Sequence, residues 1–222
     1  IRIIAELSAL FAGIIVGIPL SNTLFMLTSQ LLTPPLQTVA WPLYLGGIAL
    51  AAYRAPWFEL FSDSRRQHLF FGTAFALLLL WMIERTFECG ISIHFLGVTA
   101  ATLLLDAPFA VLSGIAAQMA LIAFDQQDLA ASAVNGILLV LIPVAITRFI
   151  ATRVERLRPT NLFVYIFMCG FFPAAFIAFI YALLNLGLLW LSGAVMPPWI
   201  EDYPIYILLI PFPEGFINGT II

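Results

Sequence analysis

The stretch ISIHFLGVTAATLLLDAPFAVLSGIAAQMALIAF, residues 91–124, decides how this chain is read. It sets one imidazole, His94, at the mouth of an otherwise apolar helical hairpin. Residues 95–105 form a helix only about half a bilayer deep at about 1.5 Å of rise per residue. Asp106-Ala107-Pro108 then turns the chain. Pro108 suits the first turn of a helix over 109–124, and Asp106 reads as the N-cap of that helix. A side chain that can charge or bind metal is expensive beside so much hydrocarbon, so it calls for a functional explanation.

Composition places the hairpin in a bilayer. The chain has 222 residues, 63% of them hydrophobic and 9% charged, with a mean hydropathy of +1.07. A soluble domain carries roughly 25% charged residues. Apolar runs near the length of about 20 residues needed to cross a bilayer recur throughout. The expectation is an all-α protein, a polytopic transmembrane bundle of six to seven helices. Six spans fall at 39–53, 69–83, 109–124, 132–150, 162–191 and 203–222. Residues 3–20, apolar except for Glu6, form either a further span or an interfacial helix, and Pro34-Pro35 separates them from the span over 39–53. Gly13 and Gly17 make a GxxxG there, a weak sign of close packing against a membrane partner. The sequence begins at Ile1 and not at a methionine, which leaves the natural amino terminus open.

Orientation follows from arginine, since all nine basic residues are Arg. Arg54, Arg65 and Arg66 share one loop, and Arg148, Arg153, Arg156 and Arg158 share another. The span count puts both loops on one side, which the positive-inside rule assigns to the cytoplasm. The opposite loops hold Glu84, Glu88, Asp125, Asp128, Glu201 and Asp202, with Arg85 the one basic residue. His94 lies on this acidic outer side. Carboxylates around one imidazole would concentrate divalent cations, and imidazole suits nickel, cobalt, copper and zinc. The plainer alternative is that exposed outer loops are simply polar and acidic.

Other residues carry two readings each. His68 follows Arg65-Arg66 on the opposite side, a span away from His94, and reads as an interfacial residue. Glu214 sits inside an apolar run between Pro213 and Gly215. It is either functional, as an intramembrane carboxylate, or a structural cap for a helix broken at 211–213. Gln118 and Asn135 are neutral polar groups on apolar helices, suited to interhelical hydrogen bonds or to orienting His94. Cys169 reads as a small core residue, and Cys89, five residues before His94, as a minor candidate for a soft metal site. The two cysteines show no CxxC spacing. A net charge of −3 without a basic patch argues against nucleic acid. No GxxxxGK[ST], HExxH or GxSxG appears, so the chain is not expected to be an enzyme or to hydrolyse nucleotide.

His94-Phe95-Leu96-Gly97, the small-residue hairpin to Gln118, and Leu129-Ala130-Ala131-Ser132-Ala133-Val134-Asn135 together resemble the CbiM/NikM family. Its members are the substrate-capturing membrane subunits of cobalt and nickel transporters of the energy-coupling-factor type. The family pattern has a His-Leu-Leu-Gly motif opening a short helix, a Gln late in the next helix, and a Leu-Gly-Ala-Asn-x-x-Asn run. The tail Phe212-Pro213-Glu214-Gly215-Phe216-Ile217-Asn218-Gly219 resembles the Glu-Gly stretch of the family's last span. It is closer still to a divergent proteobacterial, permease-like branch, as are Gln67-His68-Leu69 and residues 163–167. The resemblance covers roughly residues 36–222, which divides the chain into an extension over 1–35, with its extra helix, and a CbiM-like transmembrane domain.

The resemblance implies a multi-pass protein of the bacterial inner membrane. Its partners would be lipids together with a coupling subunit and an ATPase, or a larger membrane complex. It implies His94 as a metal ligand, with Gln118, Ser132, Asn135 and Glu214 orienting it or lining the ion's path. No permanently bound cofactor is expected, and the transition-metal ion is substrate. In metal-binding members an amino-terminal Met-His supplies the other donors of a square-planar site. No Met-His-Ile-Pro occurs here, and Ser132 replaces the first Asn of the family run while Asn135 keeps the second. Two functions remain: a metal-capture subunit, or a non-catalytic accessory subunit that keeps the fold without the metal site.

Overall fold

Proline opens the first helix. In the computed structural model, which describes residues 32–86, 92–157, 161–191 and 207–222, helix α1 runs over Pro34–Arg54 from an N-cap at Thr33. Pro34 and Pro35 occupy its first turn, where a missing N–H costs nothing and a fixed φ helps. The Pro-Pro pair thus stands at the head of this helix, which begins five residues before the expected span. The expected helix over residues 3–20 lies outside the described residues.

A short α2 (Trp57–Ser62) and the long α3 (Ser64–Met82) come next. The Asp63 side chain accepts the Arg65 backbone N–H to cap α3. A two-stranded antiparallel ribbon, β1 (Glu84–Thr86) and β2 (Ser92–His94), pairs Glu84 with His94. Beyond the ribbon lie α4 (Val98–Leu105) and α5 (Ala107–Ala123). At eight residues, α4 is about 12 Å long, the half-depth helix its sequence announced. Helix α6 (Leu129–Leu157) contains a π-helical segment at Ile137–Leu141. Helix α7 is built from Leu162–Tyr165, the π-helical Ile166–Phe171 and Phe172–Leu191. The chain closes with α8, Pro211–Ile221.

Among the described residues the fold is all-helical apart from the ribbon of two three-residue strands. Each of the six expected spans has a helical counterpart among the described residues, and α2 and α4 bring the helices there to eight. Helices Leu129–Leu157 and Leu162–Leu188 are long and apolar enough to cross a membrane, and Ala107–Ala123 and Ile207–Ile221 are shorter apolar helices. Phenylalanines and leucines along α3, α7 and α8 stay exposed on the outside of the bundle, while the inside is filled by small and branched residues such as Ala110, Ala133, Leu139 and Val140.

Helix α4 sits against α5 and α6 and touches α8. The Thr147 hydroxyl donates to that of Thr99 at 3.3 Å, tying α6 to α4. At the α4–α5 turn the N-cap position belongs to Asp106, as expected, but its side chain makes no capping bond. An N-cap needs extended backbone of ordinary hand, whereas Asp106 adopts φ 67 and ψ 158, a region that strains any residue with a Cβ. Its carboxylate points to Arg148 instead, at 3.8 Å. The expected cap is therefore corrected to an ion pair between this turn and α6.

Helices α7 and α8 meet backbone to backbone. A Cβ at Gly215 would lie 2.8 Å from the Phe171 carbonyl oxygen, and one at Gly170 would lie 3.2 Å from Gly219 Cα. Gly215 and Gly219 stand one turn apart, a small-residue face that lets α8 seat on the π-helical part of α7. On α3, by contrast, nothing lies within 4 Å of a Cβ built on Gly72. Gly215→Ala is expected to destabilise the fold by about 1–3 kcal/mol through overpacking. Gly72→Ala should stabilise it by about 0.5–1 kcal/mol through reduced backbone entropy. Denaturant unfolding of the detergent-solubilised variants reads both signs.

Candidate functional site

His94 ends strand β2 and is 3% exposed, so the imidazole expected at the mouth lies beneath it. Its Nδ1 stands 3.1 Å from the Phe95 carbonyl oxygen, which makes Nδ1 the protonated nitrogen and leaves the lone pair on Nε2. Nε2 faces the Tyr181 hydroxyl at 3.4 Å. The Tyr181 ring lies 5.8 Å away and tilted, with Trp81 on another side at 6.4 Å. The Trp81 indole donates to the Leu96 carbonyl at 2.9 Å and pins the loop to the end of α3. Because His94 belongs to the connecting ribbon and is fully enclosed, burial lowers its pKa from 6.5 to about 4, against the opposing effect of the Phe95 carbonyl. The ring is neutral at physiological pH, the form that binds a metal ion.

Two residues further on, Leu96 and Gly97 present their backbone N–H groups to a single carboxylate. Glu214 Oε2 accepts from Leu96 at 2.9 Å and Oε1 from Gly97 at 2.8 Å. Asn218, one turn along α8, donates to Glu214 Oε1 at 2.7 Å, and its own Oδ1 accepts the Ala100 N–H at 2.8 Å. Glu214 and Asn218 are 1% and 0% exposed. Together they take the Gly97 and Ala100 N–H groups at the start of α4, two of those that every helix start leaves unpaired, and the Leu96 N–H just before it. Gly97 makes the approach possible with φ 66 in the left-handed region, where its missing Cβ also avoids the Leu80 side chain. The structural reading of Glu214 thus has a specific form: it caps α4 rather than a break at 211–213.

Gln118 belongs to a second polar group. Its Oε1 accepts from the Tyr44 hydroxyl at 2.6 Å and its Nε2 donates to the Ser132 carbonyl at 2.8 Å. The Ser132 hydroxyl donates to the Leu129 carbonyl at 2.7 Å. Gly136 gives this cluster room, because a Cβ there would overlap the Tyr44 ring. Gln118 and Ser132 therefore join α1, α5 and α6, and among the described residues no hydrogen bond links either to His94. Asn135 is buried on the same turn of α6.

His68 is exposed in the early turns of α3, whereas His94 packs beside Trp81 near the other end. The intervening length of helix is about 20 Å, so the two imidazoles cannot share an ion. His68 instead lines a mainly apolar groove of about 310 Å³ with Gly72, Ala76, Gly97, Ala100 and Ile217. Cys169 is buried, as a core residue should be, and Cys89 lies outside the described residues. Among the described residues no group of three or more His, Cys, Asp or Glu could hold a metal ion.

Sequence reading passed over Tyr181, Trp81 and Asn218. Asn218 carried a signal, since Glu214 and Asn218 are four apart on an apolar helix and so share a face. Tyr181 and Trp81 carried none, because an aromatic residue in an apolar helix looks like packing until a partner is seen. Glu214→Ala, which strands the Leu96 and Gly97 N–H groups, should destabilise the protein by about 3–5 kcal/mol. Glu214→Gln, which keeps one acceptor and removes the charge, should cost about 2–3 kcal/mol. Equal losses for the two variants in unfolding experiments would refute the capping account.

The sequence profile of a family described as "CbiM: Cobalt uptake substrate-specific transmembrane region" matches residues 27–222. Among solved structures, a truncated transition metal transporter is similar with a TM-score of 0.67 and 15% identity, covering 88% of this chain and 95% of that one. A second, described as a transition metal transporter, gives the same score and identity over 88% of this chain and 90% of its own. At that identity the likeness is one of fold. No curated protein sequence matches.

Proposed function

The chain belongs to the CbiM family of membrane transport proteins, and on that premise we propose that it is the substrate-capture subunit of a transition-metal transporter of the energy-coupling-factor class. It takes a cobalt- or nickel-type ion from the outer face at His94. The observation that carries this reading is the state of His94: a buried, neutral imidazole whose Nδ1 is committed to a backbone carbonyl and whose Nε2 is turned to a hydroxyl. Metal-binding histidines are oriented in this way by a hydrogen bond on the nitrogen away from the ion.

Charge and missing motifs supply the rest. Arginines at the ends of α1 and α6 and at the start of α3 mark the cytoplasmic side of a multi-pass inner-membrane protein. Acidic residues at the other end attract the cation. The sequence carries no phosphate-binding loop, so the energy for transport is supplied from outside it, by a coupling subunit and an ATPase or by an ion gradient. Glu214 takes part by fixing the backbone of the His94 loop. Gln118, Ser132 and Asn135 line the helix interfaces beside the hairpin.

A second reading rests on the absence of a three-ligand group among the described residues. On that reading the chain is a non-catalytic accessory subunit of a larger membrane complex, with the fold kept and the metal site lost. Metal content by mass spectrometry of gently purified wild-type protein beside His94→Ala separates the two. A capture subunit should carry stoichiometric nickel, cobalt, copper or zinc that falls at least about tenfold in the variant. A metal-free wild type that keeps a partner through purification would leave the accessory subunit standing.

A further inference from the structure

The groove that His68 lines takes no part in the site around His94. It follows α3, with Gly97, Ala100 and Leu104 on one side and Ile217 and Ile221 of α8 on the other. Leu77, Ala100 and Ala101 form a buried floor, while Leu104 and Ile221 at the rims are exposed. The groove therefore opens sideways onto the outer surface of the bundle, which in a transmembrane chain faces lipid. A Cβ built on Gly72 would meet nothing within 4 Å, so small residues keep the trough open. From His68 to Leu80 it runs for about 18 Å at the rise of an α-helix. One leaflet of hydrocarbon is about 15 Å deep, half of the bilayer core.

One end of this trough is polar. Arg65 stands one turn before His68 on the same face of α3, and both are exposed. Arg66 pairs with Glu59, whereas the Arg65 guanidinium has no ion-pair partner among the described residues. The nearby Asp63 carboxylate is engaged as the cap of α3, through the Arg65 backbone N–H. Aromatic residues set the depth of this end. Tyr53 near the end of α1 and Trp57 at the start of α2 are exposed, and these residue types settle at headgroup level. The Glu59–Arg66 pair ties α2 to the first turn of α3, so Arg65 and His68 stand close to that level.

We propose that the groove binds a single anionic phospholipid. Its phosphate is held by Arg65 and His68, and one acyl chain lies along Gly72 and Ala76 towards the start of α4. Basic pockets between transmembrane helices hold anionic headgroups by the same attraction. A partner helix could use the same small residues, but it would not by itself account for a cation and an imidazole at the head of the trough. The proposal does not depend on the capture reading. Because the far end of the groove reaches Gly97, the bound chain braces the start of α4 from the membrane side.

The test is native mass spectrometry of the full chain with phosphatidylglycerol or phosphatidylcholine of identical acyl chains. Wild type should retain one phosphatidylglycerol in preference to phosphatidylcholine. Arg65→Gln should lose about fivefold of that preference, the effect of one basic group at a membrane surface. Gly72→Leu, which fills the trough, should lose the retained lipid. Gly46→Leu, at an equally open position on α1, should keep it. Equal retention of the two lipids by wild type, or none, overturns the proposal, as does a Gly72→Leu variant that retains phosphatidylglycerol like wild type. Loss of a co-purifying membrane subunit from Gly72→Leu with lipid retention unchanged would make the groove a protein seat and overturn it too. Should Gly72→Leu fail to fold, wild type is photolabelled with phosphatidylglycerol carrying a diazirine on its chain. Labelling concentrated on residues 72–76 and 217–221 supports the proposal, and labelling spread evenly over the exposed helices overturns it.

Discussion

One carboxylate holds the two ends of this protein's architecture together. Glu214, in the last helix, accepts the backbone N–H groups of Leu96 and Gly97, more than a hundred residues earlier in the chain. No helix pairs the N–H groups of its own first turn, and α4, eight residues long, is buried on nearly every side, away from water that could pair them. Without an acceptor, its first N–H groups would be unpaired in an apolar interior, at a cost of several kcal/mol. Glu214 and Asn218 supply that acceptor surface. The start of the half-length helix and the backbone that follows His94 are held by it.

The cap also explains why α8 must come so close. A carboxylate reaches a backbone N–H only if the helix that carries it is held at a fixed depth and rotation. Gly215 and Gly219 provide this by letting α8 rest on the backbone of α7. The face that caps α4 and the face that seats on α7 are neighbours on one short helix. Because α7 also carries Tyr181, the hydroxyl opposite His94 and the carboxylate behind its loop are positioned through a single helix pair. The polar group at Tyr44, Gln118 and Ser132 performs a separate task, locking α1, α5 and α6 around the other side of the hairpin.

Much of this was legible in residue order. Hydropathy located a helix for each expected span from residue 39 onward among the described residues, and the shortness of the segment after His94 showed that it could not span. Glu214 stood out because an intramembrane carboxylate needs a reason. What residue order could not show was the partner of each polar group. The expected N-cap at Asp106 failed because the backbone there has a positive φ, which sequence spacing does not reveal. Pro34-Pro35, legible as a boundary, takes the first turn of α1, where the ring's fixed φ and missing N–H suit a helix start.

Periodicity and composition by themselves determined a helical membrane protein with one imidazole at the head of a half-length helix. These are local properties, fixed by the cost of exposing apolar side chains and by the rise of a helix per residue. Tertiary structure alone decided that Glu214 caps α4, that Gln118 turns to Tyr44, and that the lone pair of His94 faces Tyr181. Each of these joins residues tens to more than a hundred positions apart, and a hydrogen bond depends on distance and direction in space, which sequence spacing does not encode.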